Sequence, residues 1–430
     1  QEVVQVTMLF YKLQLPYSQE QELKVVDTFV KTEDEIPKTI EEMGCDRSIL
    51  SLARSLVGRL LSGYDPKQIK PGHGPGAVAT GEWGNLKYAF ARKYQRLHQE
   101  FPYYEYFSAS LSRNTFESGW YRRLLPEVNP HAKVCLVPKD SRGPRLISME
   151  PLEVQWIQQG QLRKLVPLIE AHPLTRGTIN FSKQSYNQEA ALKSSMDRAY
   201  ATLDLKEASD RISCALFDAL FPERIRKSWY ACRSTATVLP DGRLLPLRKF
   251  APMGSALCFP VLSISIWALT EATLRLKHRR FGSRFLVYGD DLIVPTDTFD
   301  SVVDTLQACG LLVNKDKSFR DSHFRESCGM DAFYGIQVTP VRFKKCVNGE
   351  HPRHSVYAQL IEASEAFYER GLWGACKYLR RFARSIFGEI PWVPTPGDNG
   401  FYCPSRSVCR SRNSAFKHRW NHDLQRIEIL

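Results

Sequence analysis

The sequence predicts an α+β fold in which helices flank an antiparallel sheet and acidic residues gather on one face of that sheet. Apolar, β-branched segments at residues 285–288 and 292–294 enclose a Gly-Asp-Asp turn, which indicates a hairpin. A further apolar strand at residues 200–203 ends at Asp204 and leads into a segment with helical spacing. Both patterns put carboxylates where strands end, so the sheet is expected to bring the acids together.

The two adjacent carboxylates in the hairpin, Asp290 and Asp291, repel each other. At 4 Å the repulsion is roughly 4 kcal/mol for an effective dielectric near 20. A bound cation removes this cost, and Mg²⁺ is commonly held by one or two carboxylates plus substrate phosphates. An Asp-Asp pair alone is more often a solvated turn, so the decision depends on a third carboxylate.

Asp204 supplies that third carboxylate at the end of its strand. A strand-end carboxylate facing a hairpin pair is the arrangement that two-metal phosphoryl transfer requires. Ser209 or Asp210 is predicted to be the N-cap of the helix that follows. Asp210 therefore either takes a direct part in the site or serves only as a helix cap.

A basic hairpin is predicted at residues 131–148, where two apolar strands flank a turn bearing Lys139, Arg142 and Arg145. Fixed cations of this kind neutralise the charge of a nucleoside triphosphate, and Arg suits bidentate phosphate contacts. A cationic hairpin without any ligand would show the same pattern.

The other segments are assigned from composition and periodicity. Residues 87–107 are aromatic and basic, which favours either base stacking or a helix with a buried aromatic face. The remaining expectations are mainly helical structure over residues 1–66, a Gly- and Pro-rich loop over 67–84, a hairpin turn at 241–242, a Gly turn with a helix over 252–269, a helix over 299–309 ended by Gly310, and a strand over 311–319 bearing Lys315 and Lys317.

Size and charge allow two or three domains and favour a polyanionic partner. The chain has 430 residues, with 59 Lys plus Arg against 46 Asp plus Glu and a net charge of +13. The last sixty residues are rich in Arg, which indicates either a solvated face or a nucleic-acid contact. The chain begins with Gln1, so a trimmed or partial N-terminus is expected.

The 11 scattered cysteines predict free thiols in a reducing compartment. The longest apolar run, at residues 259–269, is too short to span a membrane. Near the C-terminus, Cys403, Cys409, His418 and His422 have the ligand types of a zinc site, but the spacing between the two cysteines is too wide for the usual pattern. Free thiols and histidines that face RNA are the favoured alternative.

Several strings together resemble the replicases, or RNA-directed RNA polymerases, of positive-strand RNA bacteriophages (leviviruses) and related viruses. The resemblance covers roughly residues 70–345. The strings are Val-Pro-Lys-Asp-Ser-Arg at 137–142, Glu-Pro at 150–151, Leu-Asp-Leu-Lys-Glu-Ala-Ser-Asp-Arg-Ile-Ser at 203–213, Leu-Pro-Asp-Gly at 239–242, Met-Gly at 253–254, Tyr-Gly-Asp-Asp at 288–291 and Phe-Arg-Glu-Ser-Cys-Gly at 324–329. The Asp-Asp string is shared by many polymerases, whereas the 203–213 and 324–329 strings are much more specific.

The resemblance implies a right-hand fold of fingers, palm and thumb, with an antiparallel palm sheet flanked by helices. Its expected divisions are an N-terminal helical region at 1–66, fingers at 67–200 that include the basic hairpin, a palm at 201–345 with a fingers insertion at about 222–250, and a basic thumb at 346–430.

The resemblance also implies the roles of the site residues. Asp204, Asp290 and Asp291 would hold two Mg²⁺ ions (with Mn²⁺ as a substitute) that activate the attacking hydroxyl and stabilise displacement at the α-phosphate. The remaining expected roles are triphosphate contact by Lys139, Arg142 and Arg145, ribose recognition by Asp210 with help from Ser255, and protonation of pyrophosphate by Lys317 or, less favoured, Lys315.

The implied reaction is RNA-templated RNA synthesis from NTPs, without a primer, in the cytoplasm of a bacterial host. Expected partners are the RNA template and product, host translation elongation factors and a ribosomal protein. One departure affects sugar selection, because Cys258 and Ser263 lie near positions where such polymerases usually have Thr and often Asn.

Two alternatives stay open from the residues. A reverse transcriptase also carries an Asp-Asp hairpin, but it usually has an aromatic residue just after its first palm Asp, where this chain has Leu205 and Lys206. A catalytically silent RNA-binding protein with a polymerase-like fold is the other alternative, and the intact acids argue against it.

Overall fold

The α+β expectation is confirmed by a computed structural model, which describes residues 2–107, 121–127, 129–279, 284–345, 352–413, 418–422 and 426–429. The described α-helices are Glu2–Met8, Gln19–Glu35, Arg47–Leu60, Gln95–Glu100, Tyr103–Tyr106, Leu152–Ala171, Ser185–Asp197, Ala208–Arg211, Cys214–Leu220, Glu223–Ala231, Cys258–Lys277, Phe299–Ala308, Arg353–Glu369, Trp373–Phe387 and Arg406–Arg412. The described strands are Arg92–Tyr94, Leu125–Glu127, His131–Asp140, Gly143–Met149, Tyr200–Leu203, Leu205–Lys206, Ala236–Val238, Leu244–Pro246, Leu286–Tyr288, Asp291–Pro295, Leu312–Val313, Phe324–Ser327, Met330–Phe333, Ile336–Gln337, Trp392–Val393, Phe401–Tyr402, His418–Asn421 and Arg426–Ile429.

The chain forms two compact units. The larger unit comprises residues 19–137 and 145–339, and the smaller unit comprises residues 1–18, 138–144 and 340–430. The larger unit contains the three strand-end acids. The four-part division into N-terminal region, fingers, palm and thumb stays a prediction.

A three-stranded antiparallel sheet, here called the central sheet, lies in the larger unit. Its strands are Tyr200–Leu203, Asp291–Pro295 and Leu286–Tyr288, with Asp291–Pro295 in the middle. The middle strand is buried at three consecutive residues, 292–294, which explains its unbroken apolar sequence. The predicted hairpin and the predicted strand before Asp204 are therefore both confirmed.

The long helix Cys258–Lys277 is apolar on all sides because it is buried in the main core of the larger unit. It follows the predicted Gly turn, where Gly254 has φ +121°. A Cβ at this glycine would overlap the carbonyl of Ser148, whose amide donates to the Met253 carbonyl at 2.8 Å. The turn therefore needs glycine for both conformation and space.

The segment after Asp204 differs from the single capped helix that was expected. It forms two short helices, Ala208–Arg211 and Cys214–Leu220. Ser213 is the N-cap of the second, since its Oγ accepts from the Leu216 amide at 3.0 Å. The prediction of Ser209 or Asp210 as N-cap was wrong, because residues 212–214 turn aside to bond with residues 248–250.

The basic hairpin is also confirmed as a pair of strands, His131–Asp140 and Gly143–Met149. It continues into a four-stranded sheet through Ala236–Val238 and Leu244–Pro246. The last two strands form the second predicted hairpin, with Gly242 at φ +87° in its turn.

The strand expected over residues 311–319 was wrong in its extent. Only Leu312–Val313 is a strand, and Lys315–Lys317 is a short 3-10 turn. Immediately beyond it, Phe324–Ser327 and Met330–Phe333 form a hairpin whose buried Arg325 donates to the carbonyls of residues 200, 320, 322 and 324. This guanidinium connects the hairpin to the central sheet.

In residues 87–107 the structure agrees better with a buried aromatic face than with exposed rings for base stacking. Phe90, Tyr94, Phe101 and Tyr103 are buried, although the helices there are short. Tyr88 and Tyr104 stay exposed.

In the smaller unit, Arg353–Glu369 and Trp373–Phe387 pack around an apolar core that includes Leu360, Leu379 and Phe401. Three arginines surround one indole, with the guanidinium carbons of Arg412, Arg380 and Arg384 at 3.9, 4.9 and 5.7 Å from the Trp392 ring centre.

No helix in the described parts of the chain has the length and apolar character needed to cross a bilayer. The ten cysteines within the described residues are all free thiols, as predicted.

Candidate functional site

The register of the central sheet puts Asp204 beside Asp291. Leu203 is paired with Leu292 in the antiparallel ladder. Asp204 directly follows Leu203 and Asp291 directly precedes Leu292, so the two acids lie at the same end of this strand pair. Asp290 lies in the turn before them, next to Gly289 at φ +64°. The three acids predicted from sequence are therefore brought together.

The electrostatics of the three carboxylates agree with this register. Burial, the neighbouring Asp290 and the charge of Asp204 raise the pKa of Asp291 to about 7. Burial and Asp204 likewise raise the pKa of Asp290, while Arg145 and Lys317 act to lower it. Ionised together, the acids are strained by mutual repulsion, and a cation would relieve it.

Asp204 is held by residues that were not predicted to take part. Asn314 Nδ2 donates to Asp204 Oδ2 at 2.7 Å, and the Asn314 amide donates to the Asp204 carbonyl at 2.8 Å. The Asp204 amide donates to Ser318 Oγ at 3.2 Å. These bonds fix the carboxylate's orientation. An Asn between an apolar strand and two lysines was the available signal, because it is a turn former.

Asp291 is held from the other side by the 324–329 string. Cys328, at φ +49°, contacts the Asp291 carboxylate through both its amide and its thiol. Ser327 Oγ donates to Asp291 Oδ1 at 3.4 Å. Asn187 Nδ2 lies 3.4 Å from the Asp291 carbonyl. This string therefore supports the acid cluster, a part that sequence reasoning did not assign to it.

The helix that begins at Cys258 lies against the site. The Cys258 thiol contacts Ser209 and lies close enough to Asp210 and Asp290 for both carboxylates, together with burial, to raise its pKa. A Cβ on Gly289 would overlap the Phe259 ring, so the Asp-Asp turn packs directly on this helix. Asp210 therefore lies near the acid cluster.

Two serines near this helix have local hydrogen bonds. Ser255 Oγ accepts from the Leu257 amide at 3.2 Å, which leaves its hydroxyl proton available to a ligand. Ser263 is fully buried and its hydroxyl donates to the carbonyl of Phe259 at 2.9 Å. Of the two positions noted for sugar selection, Cys258 contacts the site and Ser263 faces its own helix.

The basic residues fall into two groups. Arg145 is exposed in the larger unit, and its charge acts to lower the pKa of Asp290. Lys139 and Arg142 belong to residues 138–144 of the smaller unit. Arg142 forms a bidentate pair with Asp140, at 3.2 and 2.9 Å, that a phosphate would have to displace.

Lys317 lies near the acids although its predicted strand is absent. The charge of Lys317 acts to lower the pKa of Asp290, and its Nζ is 3.8 Å from Glu326 Oε1. Its side chain is 44% exposed, so it can reach solvent and a leaving group. Lys315 belongs to the same short turn.

The acid cluster has the chemistry of a magnesium site, although the side chains are not arranged as a closed shell. Within the described ranges, no group of three His, Cys, Asp or Glu side chains has metal-holding geometry. The donors are carboxylate oxygens, and Mg²⁺ usually completes such a set with water and substrate phosphates. The residues therefore fit Mg²⁺ that binds together with a nucleotide.

The zinc alternative gains no support. Cys409 Sγ donates to the Cys403 carbonyl at 3.4 Å, which is a local contact. The side chain of His418 lies outside the described residues.

Comparison with known proteins gives one matching family and several relatives. The model of the family described as RNA replicase, beta-chain, matches residues 27–352. The RNA-directed RNA polymerase subunit beta of Qbeta virus (strain MX1) is 31% identical over 296 residues, which cover 68% of this chain and 48% of that protein. The corresponding subunit of Enterobacteria phage SP is 34% identical over 223 residues, or 51% of this chain and 37% of that protein.

The beta chain of Enterobacteria phage GA is 27% identical over 325 residues, covering 71% of this chain and 57% of that protein. The chain thus spans about half the length of the curated relatives it matches. Among solved structures, the RNA-dependent RNA polymerase of a human picorbirnavirus aligns over 79% of this chain and 67% of its own, with a TM-score of 0.46 and 11% identity.

Proposed function

The chain belongs to the RNA replicase beta-chain family, and from this premise we propose that it is an RNA-directed RNA polymerase. It would copy a bacteriophage RNA genome from NTPs by nucleotidyl transfer. The observation that carries the proposal is that Asp204 and Asp291 lie at the same end of one strand pair, with Asp290 in the adjoining turn. Three neighbouring carboxylates would supply the protein donors for two-metal transfer.

Asp204, Asp290 and Asp291 would hold two Mg²⁺ ions. Bound there, Mg²⁺ supplies Lewis-acid activation of the attacking 3′-hydroxyl and charge stabilisation at the α-phosphate. Asn314 donates to the Asp204 carboxylate and Cys328 contacts that of Asp291, so these two residues would hold the acids in position for the metal. The protein's share of the work is therefore positioning.

Basic residues would handle the triphosphate. Arg145, whose charge acts to lower the pKa of Asp290, would contact the phosphates. For Lys139 and Arg142, triphosphate contact is proposed from the family resemblance alone. Lys317, which is partly exposed, would give a proton to the departing pyrophosphate. Asp210 and Ser255 would contact the ribose of the incoming nucleotide.

Initiation without a primer, action in the bacterial cytoplasm and assembly with other proteins belong to the same proposal. The matched relatives are named as subunits or chains of a polymerase, which supports partners for this chain as well. Host translation elongation factors and a ribosomal protein are the proposed ones.

The test is template-directed incorporation of labelled NTPs, compared with dNTPs, in the presence of Mg²⁺. Asp290→Asn should lower incorporation at least a hundredfold, whereas Asp300→Asn, which removes an acid from a surface pair with Arg320, should leave it near wild type. Full activity of Asp290→Asn would refute the metal assignment. A preference for dNTPs would instead favour a reverse transcriptase.

A further inference from the structure

A fully buried lysine, Lys249, lies next to Asp210, the acid that is proposed to contact the ribose. The Lys249 side chain is 0% exposed, and its Nζ donates to the Phe29 carbonyl at 3.0 Å. The same nitrogen is 3.4 Å from Glu33 Oε1 and 3.8 Å from Asp210 Oδ1. It also lies 3.4 Å from the centre of the Phe29 ring. One ammonium group thus faces two acids that come from different parts of the chain.

The buried positive charge of Lys249 must be compensated by nearby polar or acidic groups. An ammonium group removed from water costs several kcal/mol unless it is paired, and lysine is rarely buried otherwise. Glu33 has a second contact, because its Oε2 accepts from the Arg248 amide at 2.6 Å. Asp210 Oδ1 is buried and accepts no hydrogen bond from the part of the chain that the structure describes. Lys249 is therefore the main compensation for the Asp210 charge.

The backbone around Lys249 is held by several hydrogen bonds. The Cys214 amide donates to the Arg248 carbonyl at 2.8 Å, and the Phe250 amide donates to the Ile212 carbonyl at 2.7 Å. Arg233 donates to the carbonyls of residues 247, 249 and 250 at 2.6–2.8 Å. The segment that carries Lys249 is thus bonded to residues 212–214, which follow Asp210 closely in the chain.

Asp210 lies close to the acid cluster, where the nucleotide is proposed to bind. Asp210 and Asp290 both act to raise the pKa of the Cys258 thiol. The Asp210 carboxylate therefore lies on the same side of the helix Cys258–Lys277 as the Asp-Asp turn. A ribose hydroxyl that donates to Asp210 requires an ionised, fixed acceptor. Lys249 is the group that can supply both properties.

We propose that Lys249 is a specificity-determining positioning residue that holds the Asp210 carboxylate for the 2′-hydroxyl of the incoming nucleotide. This inference rests on the proposed function. Lys249 itself never touches the nucleotide. Its role is to select ribose over deoxyribose through the acid it holds.

The titration of Asp210 agrees with this geometry. Burial raises the pKa of Asp210 to about 6, with Glu207 and Glu33 raising it as well, while Lys249 and Arg211 lower it. Without Lys249 the pKa of Asp210 would rise further, so a larger fraction of the group would be protonated at neutral pH. A protonated acid cannot accept from the ribose hydroxyl in the same way.

The decisive measurement is the ratio of kcat/KM for an NTP to that for its 2′-deoxy analogue. A ratio cancels the fraction of folded enzyme, so a merely destabilised variant keeps it. Lys249→Met and Asp210→Ala should each lower the ratio roughly tenfold, the loss of one charge-assisted hydrogen bond. The double variant should be no lower than Asp210→Ala alone.

Lys87→Met is the matched control, because Lys87 is also a buried lysine that donates to backbone carbonyls, those of Gly74 and Gly76, and it is not among the groups that act on Asp210. Its ratio should equal that of the wild type. If Lys87→Met lowers the ratio as much as Lys249→Met, or if Lys249→Met leaves it unchanged while Asp210→Ala lowers it, the positioning role is refuted and the polymerase proposal stands. If Asp210→Ala also has no effect, ribose recognition by Asp210 fails.

A second variant covers the case in which Lys249→Met does not fold. Lys249→Gln keeps a neutral donor for the Phe29 carbonyl. The wild-type ratio should fall as the pH drops through about 6, the pKa of Asp210. In Lys249→Gln this fall should begin at a higher pH, and an unchanged profile would refute the proposal. A wild-type protein that incorporates no NTP would instead refute the proposed function.

Discussion

At the scale of single residues, the acid cluster depends on how two carboxylates are held on opposite strands. Like charges directly across an antiparallel pair are destabilising. Asn314 on Asp204 and Cys328 on Asp291 keep both groups in place despite that repulsion. The acids themselves were predictable because their strands have clear apolar patterns. Their supports were not, because a hydrogen bond across 110 residues leaves no local signal.

Removing the Asn314 support should weaken metal binding. In Asn314→Ala the Asp204 carboxylate loses its 2.7 Å donor, so the Mg²⁺ concentration for half-maximal incorporation should rise about 10–100-fold. A Mg²⁺ titration of incorporation measures this. Gln307→Ala, an exposed polar position on the neighbouring helix, is the control. Equal Mg²⁺ requirements for both variants would contradict a supporting role for Asn314.

The raised pKa of Asp291 predicts how stability depends on pH without metal. Its folded value of about 7 lies above the usual value of 3.8, so the folded state binds the proton more tightly. That contribution is complete below about pH 4 and is lost as the pH rises through 7. Metal-free protein should therefore lose stability over this range, and Asp291→Asn should lose less.

The measurement is the midpoint of thermal unfolding across this pH range in the presence of a chelator. Added Mg²⁺ should stabilise the wild type more at about pH 8 than at about pH 5, because the ionised acids bind the cation. An identical pH slope for the wild type and Asp291→Asn would show that the carboxylate is not under strain.

At the scale of elements, local pattern succeeded where a segment pairs with its neighbour in sequence. The Asp-Asp hairpin and the 236–246 hairpin are both present. Prediction from local pattern failed where a segment distant in sequence forms hydrogen bonds with the residues concerned. The expected helix after Asp204 is interrupted because residues 212–214 bond to residues 248–250, and the expected strand over 311–319 ends at Val313 because Asn314 turns towards Asp204.

The Gly254 turn gives a prediction at this scale. Gly254→Ala adds a methyl group that meets the Ser148 carbonyl at a backbone with φ +121°. Gly177→Ala is the matched control, because its φ is +74° but the added Cβ would have open space. The control should lose about 1–2 kcal/mol of stability from backbone strain alone. Gly254→Ala should cost clearly more, measured by urea unfolding, and equal losses would rule out the close contact.

At the scale of the whole molecule, the net charge of +13 predicted a polyanionic partner but could not say which surface meets it. In the smaller unit, Arg380, Arg384 and Arg412 crowd around Trp392. Arg384 also lies 3.7 Å from the carboxylate of Glu389. Crowded guanidinium groups beside an indole suit RNA, which offers phosphates and bases that stack.

Removing two of these arginines should reduce the electrostatic part of RNA binding. In an Arg384→Ala, Arg412→Ala double variant, the slope of log affinity for single-stranded RNA against log salt should fall by about 0.7 for each phosphate that is no longer neutralised. Arg320→Ala, whose guanidinium is already paired with Asp300 and Asp321, is the control. Slopes equal to wild type in the double variant would exclude this cluster as an RNA-binding surface.

The central claim is that the three strand-end acids form a metal-dependent, template-directed transfer centre. The most direct test is single-nucleotide extension of an RNA primer on an RNA template, with Mg²⁺ varied, for the wild type and Asp291→Asn. We expect the wild type to add only the complementary NTP, in a Mg²⁺-dependent manner. For Asp291→Asn we expect a rate lower by roughly a thousandfold or more at every Mg²⁺ concentration. Comparable rates for the two proteins, or addition regardless of the template base, would contradict the claim.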